Sequence, residues 1–305
     1  MKIIAFFLAA LPLFSCNFFS SEQAEGFSNS GSAPKQKIDS LSLPKTVKYS
    51  WLKSGDYQTS TALVNQIPLP QGYERQTAAS GSFAEWLRFL PLFPKNEKVM
   101  LFDGKEKNYQ AGAYRVVNID IGKSDLQQCA DAIMRLKSEY HYSRGEFEKI
   151  HFNYTSGHKV SFDDWRKGKK PLISGSKVSF STASGSTDNS YSNFQKYFRN
   201  IFMYAGTASL EKELKPKKMS ELSAGDLFIK GGFPGHAVLV MDVAVDKKTG
   251  KKIFLLAQSY MPAQSIHILK NFKHNAELSP WYPEDFGETL FTPEWEFSVG
   301  ALKTW

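Results

Sequence analysis

Apolar spacing divides the chain into a mainly helical stretch followed by a run of strands. The clearest helical period is Leu126, Ala130, Ile133, Leu136 and Tyr140, spaced three or four residues apart. Ser124 or Asp125 stands where it can cap this helix, which puts Cys129 in the first turn. A second helix is predicted over 190–204, with Phe194, Tyr197, Phe198, Ile201 and Phe202 on one broad face. Ser82-Phe83-Ala84-Glu85 has the form of a capping box and opens a short helix that Pro91 stops. Ahead of and between these lie short strand candidates at 61–64, 99–102 and 113–121, and a hairpin over 150–162 turning at Ser156-Gly157. A serine- and glycine-rich loop is expected over 174–189. After Pro216 the pattern changes to strands at 226–230, 236–245, 253–260 and 265–269, with Lys247-Lys248-Thr249-Gly250 as the turn between the second and third. Helices followed by an antiparallel sheet predict an α+β fold, with N-terminal helices packed on that sheet.

The N-terminus adds a compartment. Lys2 precedes an apolar run from Ile3 to Phe14 that is too short to span a bilayer, so 1–15 reads as a signal peptide. Leu13-Phe14-Ser15-Cys16 resembles a bacterial lipobox, which predicts cleavage before Cys16 and lipidation of its sulfur. Residues 16–45 are rich in Ser, Gly, Gln and Lys and are expected to form a flexible tether. Residues 46–305 are then a single domain held at the bacterial cell envelope by its lipid. Asn17 after Cys16 favours the outer membrane, facing periplasm or surface.

Composition narrows the chemistry. The net charge of +8 comes from scattered lysines, and no nucleic-acid-binding motif accompanies it. No histidine sits in a metal-ligand spacing, and Gly231-Gly232-Phe233-Pro234-Gly235 lacks the Lys-Ser/Thr of a phosphate loop, so neither metal nor cofactor is expected. The chain has 2 cysteines. With Cys16 lipidated, Cys129 is a lone thiol in an exported protein, where unpaired cysteines are uncommon.

A cysteine at a helix N-terminus is expected to have a lowered pKa, because first-turn amides and the helix dipole favour the thiolate. Its partner is His236, at the mouth of the strand Gly235-His236-Ala237-Val238. Opposing Lys247 and Gly250 across the turn sets His236 against roughly Met261 on the return strand. Gln258 is then the chosen orienter of the imidazole, and Ser259 the alternative if the register slips by one residue. Gln127, Gln128 and Tyr114 are candidate oxyanion donors, with Gln128 preferred for adjacency. The competing interpretation makes Cys129 a small buried hydrophobe and His236 a loop cap.

The order Cys129, His236, Gln258, with Gly225-Asp226-Leu227-Phe228 ahead of the histidine strand, resembles the papain-like superfamily and especially its NlpC-type and amidase branches. That resemblance implies a cysteine hydrolase or acyltransferase acting on peptide or amide bonds, with peptidoglycan or a peptide as substrate. Gln128-Cys129-Ala130-Asp131 stands where the NlpC-type enzymes tend to have Asp-Cys-Ser-Gly. Nearly the whole mature chain also resembles a family of bacterial lipoproteins defined by domain of unknown function 4846. It does so through Asp125-Leu126-Gln127-Gln128-Cys129-Ala130-Asp131-Ala132, Pro234-Gly235-His236-Ala237-Val238 and Leu256-Ala257-Gln258-Ser259-Tyr260-Met261-Pro262-Ala263-Gln264. The alternative function is a noncatalytic envelope-binding lipoprotein using the same cleft.

Overall fold

The strand His236–Asp246 is the centre of the fold. It is buried from His236 through Ala244, and its side chains divide between two apolar clusters. Ala237, Leu239 and Met241 point to one face, where they meet Ala130, Ile133, Met134 and Leu136 of a helix. Val238, Val240 and Val243 point to the other, against Phe254, Phe286, Leu290 and Phe297. A strand covered on both faces is apolar wherever no polar partner is supplied, which accounts for the unbroken Ala-Val-Leu-Val-Met run.

The computed structural model describes residues 41–305 except Ser176 and Ser184. The predicted signal peptide, Cys16 and the tether up to residue 40 lie outside the described residues. Among the described residues one sheet has 9 strands. Its main path runs Ala113–Val116, His267–Leu269, Lys252–Gln258, His236–Asp246, Leu227–Lys230, Leu302–Thr304 and Lys215–Pro216. Neighbours on this path are antiparallel throughout. Tyr73–Arg75 pairs with the far end of the central strand, and Tyr282–Pro283 with the strand beside it. Helices cover one face of this sheet and the C-terminal segment covers the other, so the fold is α+β.

Most predicted elements are present with shifted ends, but the strand expected at 61–64 is instead a 3-10 turn, Thr59–Thr61, that runs into the short helix Leu63–Gln66. Ser82 accepts from Glu85 N and starts the helix Phe83–Arg88, and Ser190 accepts from Asn193 N and starts Tyr191–Tyr204. The predicted strand at 99–102 forms only isolated bridges, Met100 to Glu106 and Leu101 to Gln264. The expected loop at 174–189 instead begins with part of a hairpin, Pro171–Ser174 with Lys177–Phe180.

The helix carrying the cysteine starts at Cys129 itself, later than its apolar spacing suggests. Asp125 is unavailable as a cap because its carboxylate accepts from Ala263 N at 2.6 Å and from Gln128 Nε2 at 3.0 Å. Gln128 is the N-cap residue, and its backbone N–H donates to Asp131 Oδ2 at 3.0 Å. The cysteine therefore occupies the first helical position, where backbone N–H groups have no intrahelical acceptor.

One buried charge ties the N-terminal segments to the centre. Asp242 is fully buried on the central strand and accepts from Arg75 and from Arg88, the latter at 2.8 Å. Arg75 also donates to Val64 O and Ile67 O, and Arg88 to Gln76 O. Removing the carboxylate strands two cations in a dry setting. Asp242→Ala should lower unfolding free energy by about 3–5 kcal/mol in urea titration. Asp285→Asn, which breaks the exposed pair with Lys251, should cost less than about 1 kcal/mol.

Candidate active site

A single hydrogen-bonded chain leads from a buried cation to the histidine. His236 Nε2 is 2.8 Å from Gln258 Oε1. Gln258 Nε2 donates to Glu294 Oε2 at 2.7 Å, and the ammonium of Lys107 donates to that same oxygen. The direction of each bond follows from valence. A carboxylate only accepts, so Gln258 must offer its NH2 to Glu294 and its carbonyl oxygen to His236. That carbonyl also only accepts, so the imidazole proton sits on Nε2 and the lone pair is left on Nδ1.

A β-bulge decides that Gln258 is the partner. The central strand and its neighbour pair Lys252 with Val245 and keep that register as far as Leu255 with Asp242. The register then shifts between Leu255 and Leu256, so that Leu256 pairs with Val240 and Ala257 with Leu239. Extending the shifted register puts Tyr260, not Met261, opposite His236, and Gln258 joins the histidine's face. The His236 ring accordingly lies 4.8 Å from Tyr260, 5.4 Å from Trp295 and 5.9 Å from Phe297. Ser259 points the other way. It is fully buried, its hydroxyl lies between Gln127 O and Gln264 O, and it braces the turn ahead of the cysteine helix.

Cys129 and His236 line one cleft of about 430 Å³, together with Gln128, Asp131, Tyr260 and Trp295. Two exposed apolar side chains stand at its rim, Phe233 at 89% and Met261 at 62% of full exposure. Gly235 has no room for a side chain: an added Cβ would lie 2.3 Å from Thr207 Oγ1 and 2.6 Å from Gly232 O. Among the described residues no hydrogen bond joins the sulfur to the imidazole. The backbone N–H groups of Ala130, Ala237 and Cys129 itself point at the sulfur. Gln128 lines the cleft, but its amide donates to Asp125. Tyr114 and Gln127 do not line it.

Electrostatics correct the expected thiolate. Burial, and then the Asp131 carboxylate, push the Cys129 thiol up to about 11, and the three backbone donors offset only part of this. Burial also pushes His236 down to about 4; Gln258 acts in the opposite direction, and the Lys107 charge adds to the depression. In the free protein both groups are therefore neutral at pH 7. The helix terminus alone does not lower the thiol pKa, because its effect is small beside removal from water.

Glu294 and Lys107 are functional candidates that sequence reasoning missed. They are distant from each other and from Gln258 in sequence and match no fixed spacing. Trp295, beside Glu294, is a further wall of the cleft, and its indole N–H is buried without a partner among the described residues. Among the described residues no group of three or more His, Cys, Asp or Glu side chains could hold a metal ion. Nor is any described helix long and apolar enough to cross a membrane.

The titration of His236 can be checked directly. Its ring-nitrogen NMR shifts should stay those of the neutral Nε2–H form from pH 8 down to about 5. The unfolded imidazole titrates near 6.5 and the folded one at about 4, so the unfolded state takes up the proton first. The stability gained by holding it neutral is complete above about 6.5 and is lost as pH falls from there to 4, about 3 kcal/mol in all. Urea midpoints for wild type and His236→Gln over this range should converge if the assignment is right.

The family model described as domain of unknown function (4846) matches residues 63–304. No curated protein and no solved structure matches the chain.

Proposed function

The chain belongs to the family of the domain of unknown function (4846), a name without a chemistry, and we propose from its site that it is a cysteine hydrolase or acyltransferase acting on peptide or amide bonds. The observation that carries this is the relay Lys107–Glu294–Gln258–His236, which ends at the cleft that Cys129 also lines. A histidine that only caps a loop needs one partner. Here a partly buried ion pair and an amide leave a single tautomer, with Nδ1 as the free base.

Catalysis starts from a neutral pair. A substrate carbonyl entering the cleft displaces water and brings its carbon to the Cys129 sulfur. The thiol proton passes to His236 Nδ1 as the C–S bond forms, since neither a free thiolate nor an imidazolium is favoured beforehand. The imidazolium so produced keeps its Nε2–H on Gln258 and is stabilised by the Glu294 charge behind it. In this proposal the first-turn backbone N–H groups at Cys129 and Ala130, beside the sulfur, are the donors offered to the developing oxyanion. His236 then gives its proton to the departing amine, leaving an acyl-cysteine. Water, in a hydrolase, or another amine, in a transferase, attacks that acyl group and releases the sulfur.

The arrangement supports a papain-like architecture: a helix-first cysteine, a strand-first histidine and an amide on the neighbouring strand. The lipobox-like Leu13-Phe14-Ser15-Cys16 supports an anchor in the bacterial envelope, and Asn17 after it supports the outer membrane. Peptidoglycan peptides are then the substrates at hand. A noncatalytic binding module is the second reading. It is favoured by the raised thiol, the depressed imidazole and the missing bond between them.

The two part in one assay. Full mature protein is incubated with a mixture of muropeptides, and products and protein mass are followed by mass spectrometry. An enzyme gives new peptide fragments and a transient adduct on Cys129. Cys129→Ala should abolish both, and Gln258→Ala should slow turnover by about 10² or more. Unchanged fragments with wild type, and no adduct from a peptidyl chloromethyl ketone, would leave only the binding module.

A further inference from the structure

A second cavity adjoins the cysteine cleft. Leu126 and Phe202 line both, so the two open onto a common wall. The second cavity holds about 190 Å³, with Leu126, Phe198 and Phe202 as apolar sides. Its polar lining is unbalanced. Lys123, Arg135 and Arg199 face one carboxylate, Asp120. Asp120 is already engaged by Arg135 Nη2 at 2.6 Å. Lys123 and Arg199 have no ion-pair partner among the described residues. Gln127 is 2% exposed and lines this cavity. Its Oε1 accepts from Arg135 Nη1 at 2.6 Å, while its Nε2 is buried with no acceptor among the described residues.

A buried NH2 without an acceptor is costly unless something fills the space with a hydrogen-bond acceptor. Two unpaired cations beside it attract negative charge, and the guanidinium of Arg199 suits a planar, two-oxygen acceptor. The volume admits a small group rather than a second polymer chain. We propose that this cavity is a binding lobe for a carboxylate on an amide-containing ligand, received by Gln127, Arg199 and Lys123. The ligand's body crosses Leu126 and Phe202 toward Cys129. Placing its amide at the sulfur rests on the hydrolase proposal; the carboxylate lobe does not. The carboxylate can belong to a peptide C-terminus or to an acidic side chain.

Binding is tested on full mature protein carrying Cys129→Ala, so that no turnover intrudes, by calorimetry at low ionic strength. The probes are N-acetyl-Ala-Ala with a free carboxylate, its C-terminal amide, and N-acetyl-Ala-Glu amide. At least one acid should bind about tenfold or more tightly than the neutral amide. Preference for the first acid assigns the lobe to a chain end, and for the second to a side chain. Lys123 and Arg199 lie at the surface, so Lys123→Ala/Arg199→Ala should fold normally and bind acids and amide alike. Equal binding of all three probes, binding of none, or an acid preference that survives the double substitution overturns the lobe. If the acid preference holds while the muropeptide assay yields no cleavage and no adduct, the lobe stands and the hydrolase falls.

Discussion

The fold depends on burying the His236–Asp246 strand on both faces. A strand in that position can tolerate polar groups only where each is met by a partner. It carries two such groups, His236 at its start and Asp242 past its middle. Asp242 is met by two arginines arriving from the N-terminal segments, and His236 by an amide from the next strand. The first arrangement holds the helical layer and the extra strand Tyr73–Arg75 to the sheet. The second leaves one imidazole nitrogen uncommitted at the sheet's open end.

The C-terminal segment is part of this site. Phe286, Leu290 and Phe297 cover the face of the sheet that the helices leave free, and the same segment carries Glu294 and Trp295 to the histidine. Cys129 arrives from the other side, on a helix packed against Ala237 and Leu239. The Cys129 and His236 side chains therefore line the cleft from opposite faces of the sheet, where the central strand begins. Burial dominates both groups there. Desolvation disfavours the thiolate and the imidazolium alike, and neither a helix terminus nor a single amide reverses it.

Much of this was legible in the residues themselves. The helix period from Leu126 to Tyr140, the two Ser caps and the strands after Pro216 come from local spacing, and local spacing survives folding. Cys129 and His236 were readable as site candidates from their places in short patterns, and Gln258 from the turn that joins its strand to the histidine's, though with a register one residue out. What misled was the capping of the cysteine helix. Asp125 looks like a cap in sequence, but its carboxylate is claimed by Ala263, a residue from a distant loop. The expected low thiol pKa failed for a similar reason, since a sequence does not state how much water a side chain will lose.

The sequence by itself determined an α+β chain with a helix-borne cysteine and a strand-borne histidine, because period and capping are properties of neighbours. Only the tertiary structure decided what faces that histidine. Without the bulge between Leu255 and Leu256, Ser259 would share its face and Gln258 would turn away, since side chains alternate with a period of two. Nor does any spacing in the chain connect Lys107 and Glu294 to Gln258. They meet because apolar burial folds the C-terminal segment across the sheet, and a half-buried carboxylate there is stabilised by a cation and a donor.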